Sequence, residues 1–177
     1  MASGAVIARV PEAHRRWILI NSVLITAFAN IAINVVAALI GARGHHVVWW
    51  SSNPFKTSLL YNTLGTLFLL PLLTTLAVTR AVRREVADGV LESIGTPFAS
   101  RLWTWVCVPT PGRRGLRFAV ATFAALAPFD VLAVVLFGRS GVDPFHFVAI
   151  QVLYAVLLGA VLTPLIALAA MSDQPAG

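Results

Sequence analysis

The sequence predicts an all-α integral membrane protein built as a bundle of four transmembrane helices, and three observations carry that prediction. Hydrophobic residues make up 58% of the 177-residue chain and charged ones 11%, with a mean hydropathy of +0.84, whereas soluble domains carry about 25% charge. Four apolar runs, 17–40, 57–79, 118–137 and 145–171, stand out. Each is long enough to cross roughly 30 Å of hydrocarbon at 1.5 Å per residue. The arginines collect between these runs, where they set topology, and form no basic-aromatic surface suited to nucleic acid.

The first run, 17–40, follows a basic stretch, as the core of a signal peptide does, but exceeds the roughly 7–15 apolar residues of such a core. It is read as a retained helix. Ser22, Thr26, Asn30 and Asn34 recur every fourth residue within it, which puts them on one helical face directed at another helix or a wet cavity. The second run, 57–79, has a matching stripe of Ser58, Asn62, Thr66 and Thr74. Antiparallel packing sets Asn34 level with Asn62 and Asn30 level with Thr66. Two readings follow: hydrogen bonds of about 0.6–2 kcal/mol each that zip the hairpin, or the lining of a polar pathway.

Between the second and third runs, 80–117 is expected to lie at the cytoplasmic surface. Val82, Val86, Val90, Ile94 and Phe98 recur every fourth residue with charge on the other sides, the pattern of an amphipathic surface helix. It serves as a connector, a partner surface or an anionic-lipid contact. Arg9, Arg15, Arg16, Arg80, Arg83, Arg84, Arg101, Arg113, Arg114 and Arg117 lie on that side, against Arg43, Lys56 and Arg139 on the other. The positive-inside rule then places both termini in the cytoplasm. Arginine-rich, lysine-poor composition suggests a GC-rich bacterial genome, so the expected location is a bacterial inner membrane.

The third run, 118–137, carries Asp130, the one charged side chain well inside any of the four. A carboxylate there costs at least a few kcal/mol unless it is paired, hydrated or protonated. Counted from Arg117 it lies roughly 20 Å along the helix, beyond the midplane. Tyr154 of the fourth run, 145–171, is about level with it, and Gln151 lies one turn further out. The role is either structural, a protonated acid bonded to Tyr154 or Asn30, or functional, a proton carrier or cation ligand. Ala155, Gly159, Thr163 and Ala167 form a small-residue stripe suited to close helix packing.

Gly41–Gly44 followed by Asn53-Pro54-Phe55 is echoed by Gly138–Gly141 followed by Asp143-Pro144-Phe145. The echo suggests a parallel duplication of two-helix hairpins, or else the independent recurrence of Gly-rich turns. Cys107 is the lone cysteine, so the chain offers no internal disulfide or cysteine metal cluster. No phosphate-binding loop, dinucleotide fingerprint or metalloprotease motif occurs, and no catalytic residue, metal site or cofactor is expected.

Two functions are therefore expected. One is a small permease, proton- or cation-coupled, for a small polar or cationic substrate, with Asp130, Asn30, Asn34, Asn62, Thr66, Tyr154 and Gln151 along its path. Such a bundle has little room for a pathway, so a homo-oligomer would supply it. The other is a non-transporting accessory subunit or assembly factor of a membrane complex. A membrane enzyme acting on a lipid or quinone comes third, lacking a catalytic constellation.

Overall fold

The computed structural model describes residues 12–20, 28, 31–32, 35–36, 47–50, 58–94, 100–138 and 141–173. It is helical apart from one small strand pairing. In chain order the elements are α1 (Glu12–Trp17), β1 (Val47–Val48), α2 (Leu59–Ala87), α3 (Arg101–Val106), α4 (Pro111–Phe137), β2 (Gly141–Val142) and α5 (Pro144–Met171). Three of them, α2, α4 and α5, are long and apolar enough to cross a membrane. In the first apolar run, Phe28, Ile31, Ala32, Val35 and Val36 are helical. Its polar stripe of Ser22, Thr26, Asn30 and Asn34 lies outside the described residues.

The central helix is α2, which packs against both α4 and α5, while those two meet each other only sparsely. The core follows from that arrangement. Leu67, Leu70, Val78 and Val82 of α2 are buried with Phe118 of α4 and with Ala155, Leu158, Leu162 and Ile166 of α5. Ala155, Gly159, Thr163 and Ala167 all fall on the buried face of α5, as small side chains that allow close helix approach do. By contrast, 11% of the most apolar stretch of α4 is buried, against 44% for α2 and 50% for α5. Its C-terminal half leaves Phe129, Leu132, Val135, Leu136 and Phe137 exposed. An apolar surface of this size suits lipid or another apolar partner.

Between the second and third runs the connection holds the short helix α3, but the four-residue spacing that begins at Val82 belongs to α2, and two features set the boundaries. First, α2 does not stop at Thr79 but continues to Ala87, because nothing in Arg80–Ala87 breaks it. Val82 is fully buried and Val86 packs on the core, so the four-residue apolar spacing continues the buried face of α2. The stop is Gly89, with φ 73°, the left-handed region that glycine enters without a Cβ penalty. The Val90 N–H donates to Glu85 O (2.9 Å) and the Gly89 N–H to Val86 O (3.2 Å), the paired bonds of a Schellman turn. Second, α4 begins at Pro111, seven residues before the apolar run, with proline in the first turn, where its missing N–H costs nothing.

The two ends of the bundle differ in chemistry. At one end β1 pairs antiparallel with β2, Val47 opposite Val142 and Val48 opposite Gly141, above a small cluster of Leu59, Val142 and Phe147. The opposite, basic end joins α1 to the close of α2 and α5. His14 Nε2 bonds Glu92 O (2.7 Å), and the Ile94 N–H donates to Met171 O (3.0 Å).

Asp143 caps α5, its Oδ1 accepting from the N–H of Phe145 (2.9 Å) and of His146 (3.3 Å). These bonds, His146 foremost, favour the ionised acid and hold it below its ordinary pKa of 3.8. A depressed folded-state pKa means that the cap's contribution is present above 3.8 and is lost as the pH falls through the folded value. Hydrogen-exchange protection in the first turn of α5 is therefore expected to drop in that acid range in wild type. Asp143→Asn, which caps without titrating, should show no such drop.

Candidate functional site

Asp130 sits near the C-terminal end of α4, seven residues before its last residue and therefore about 10 Å from that end. Two residues earlier Pro128 lacks the N–H that would bond the carbonyl of Ala124. The Asp130 side chain is half-buried, at the border between the core-facing residues Leu126 and Ala127 and the outward Phe129, which is 66% exposed.

The phenol of Tyr154 on α5 meets this carboxyl centrally, its Oη lying 3.0 Å from Oδ2 and 3.2 Å from Oδ1. A phenol has one proton to give. It therefore shares that proton between both oxygens of an ionised acid, or donates to one and accepts from the other when the acid is protonated. The Thr63 hydroxyl of α2 lies nearby, but its hydrogen bond is a donation to Leu60 O (3.0 Å). Three helices thus contribute a carboxyl, a phenol and a hydroxyl to one point among apolar segments. The bridge spans α4 and α5 where these helices otherwise scarcely touch.

The other residues expected along a path behave differently. Asn62 is exposed, and its Nδ2 donates to Ser58 O (2.9 Å). Thr66 in turn donates to Asn62 O (2.9 Å). Both satisfy themselves on the preceding turn of α2, the local bonding open to short polar side chains in helices, and neither reaches Asp130. Gln151 is buried, 3% exposed, and its Nε2 has no acceptor among the described residues. Asn30 and Asn34 lie outside the described residues. Thr63 was not singled out by the sequence because it stands one position off the polar stripe. The readable signal was its place one turn before Leu67, on the apolar side of α2.

A second polar centre, at the basic end, was also not singled out. Arg114 is fully buried; its Nε donates to Val108 O (3.1 Å) and its Nη2 to Asp173 Oδ1. Arg83 donates to the other carboxylate oxygen of Asp173, from Nη2 at 2.8 Å and Nε at 3.2 Å, and also to Pro109 O. One carboxylate beyond the end of α5 therefore ties the end of α2 to the start of α4. Cys107 lies half-buried beside it, and burial pushes its thiol pKa up, opposed in part by the Arg114 charge. Among the described residues no three His, Cys, Asp or Glu side chains converge as a metal site would require. His146 is exposed and pairs with Asp143 at 3.4 Å.

Comparison of the chain with protein-family models, with curated proteins and with solved structures gave no match in any of the three.

Proposed function

We propose that this is a small multi-pass membrane permease coupled to protons or a cation through Asp130. The observation that carries the reading is the carboxyl–phenol hydrogen bond of Asp130 and Tyr154, between two helices and among otherwise apolar segments. An ionisable group in that position is costly, and a functional role is its default interpretation. The phenol both donates and accepts hydrogen bonds, so the acid has a partner in either protonation state. In this reading the first apolar run supplies a fourth transmembrane helix and brings Asn30 and Asn34 toward the junction. Both termini lie in the cytoplasm of a bacterial inner membrane, and a homo-oligomer completes a path for a small polar or cationic substrate. The pairing of β1 with β2 supports the hairpin duplication, since it joins the two loops that the repeat relates.

Proton flux into liposomes tests this, with wild type compared against Asp130→Asn, which keeps the side chain's size and one acceptor oxygen for Tyr154 but no titrating proton. Flux in wild type that the variant loses is expected. Wild-type flux that the variant retains would end the role of Asp130. Negligible flux in both would turn the interpretation to an accessory subunit, which the outward apolar face of α4 favours.

A further inference from the structure

The basic end holds a groove that the proposed transport activity does not use. Its cavity volume is about 320 Å³, and it is lined by Ala13, Arg16, Trp17 and Ile20 on one side and by Val90 and Leu91 on the other. Trp17 and Leu91 are its buried members, 8% and 3% exposed, while Ile20 and Val90 remain open to the surroundings. The groove is built into the fold. The left-handed Gly89 turns the chain back after α2, and the His14 bond to Glu92 O holds α1 against that return. The Ile94 bond to Met171 O fixes the same segment to the end of α5.

We propose that this groove binds one acyl chain of an anionic phospholipid whose phosphate is held by Arg16. Charge complementarity selects the occupant. Arg16 is exposed beside Arg15, and the salt bridges among the described residues leave it without an acidic partner. A guanidinium fits a phosphate in bidentate fashion. Beyond Arg16 the lining is apolar, so a soluble phosphate would gain nothing from it, whereas a methylene chain buries it. The volume lies at the small end of the roughly 300–1,000 Å³ of ligand pockets, and a packing helix about 10 Å wide does not enter it. Depth agrees as well. Ile20 lies within the first apolar run and Arg16 just before it, the step from charge to hydrocarbon where headgroups sit. Trp17 adds a buried indole N–H with no acceptor among the described residues.

The test uses brominated lipids, which quench nearby tryptophan fluorescence. Protein is reconstituted into vesicles containing brominated phosphatidylglycerol or brominated phosphatidylcholine, and the Trp17 share of quenching is taken as the difference from Trp17→Phe. Stronger quenching by the anionic lipid is expected. In Arg16→Gln that preference should fall about fivefold, the worth of one arginine near an anionic surface. Val90→Phe, which fills the groove from an exposed position, should reduce quenching by both lipids. Equal quenching by the two lipids in wild type, or a preference that Arg16→Gln leaves intact, would overturn the proposal. If Trp17→Phe does not fold, the two exposed variants decide it through total quenching.

Discussion

Replacing Asp173 by Ala is expected to destabilise the folded protein by about 3–5 kcal/mol, the cost of leaving a buried charge uncompensated. The reason is the position of Arg114. Its guanidinium is wholly buried, and among the described residues its Nη1 has no partner. Asp173 is the carboxylate that neutralises it, and the same carboxylate also holds Arg83. Removing it strands one buried cation and one half-exposed one on neighbouring helices. Arg83→Ala should cost far less, at most about 1 kcal/mol, because the Arg83 side chain is 43% exposed and screened by solvent. Arg114→Met combined with Asp173→Ala should recover much of the loss, since an apolar side chain needs no counter-charge. Chemical unfolding in detergent, followed by alkylation of the half-buried Cys107 beside this cluster, reads all three.

Gly115→Val should cost about 1–3 kcal/mol, through crowding at the crossing of α2 and α4. A Cβ on Gly115 would lie 3.0 Å from Leu72 Cδ1, 3.1 Å from the Leu72 carbonyl oxygen and 3.4 Å from Thr75 Cβ. The leucine methyl can swing aside, but the carbonyl oxygen belongs to the backbone of α2. Thr75 is fixed by its own bond to Pro71 O (2.6 Å). Steric fit matters more here than transfer energy, because lipid chains are as apolar as the side chains they would replace at the interface. The control is Gly65→Ala: nothing lies within 4 Å of the added methyl, so stability should hold or rise slightly through helix propensity. A fall in thermal midpoint for Gly115→Val alone is the expected pattern.

The apolar runs that became α2, α4 and α5 were legible because length and composition fix a membrane helix with little help from context. Their ends were not. In Arg80–Ala87 the charges suggested a new surface element, yet Val82 and Val86 carried the buried face of α2 onward until Gly89 allowed the chain to turn. Depth counting found Asp130 and Tyr154 level, since both belong to long regular helices with a fixed rise. For Asn62 and Thr66 the depth-matched partners, Asn34 and Asn30, lie outside the described residues; the two side chains bond their own helix, a choice that spacing alone does not reveal. Asp173 was overlooked because it follows the last apolar run, where an acidic residue reads as solvated. Only the folded chain brings it to Arg114.

The most direct measurement of the Asp130 account is the infrared difference spectrum of the reconstituted protein between acid and alkaline buffer. The account predicts a protonated-carboxyl band that comes and goes with pH, moves in frequency in Tyr154→Phe and is missing in Asp130→Asn. A spectrum that is the same in wild type and Asp130→Asn would mean that Asp130 exchanges no proton, and would contradict it.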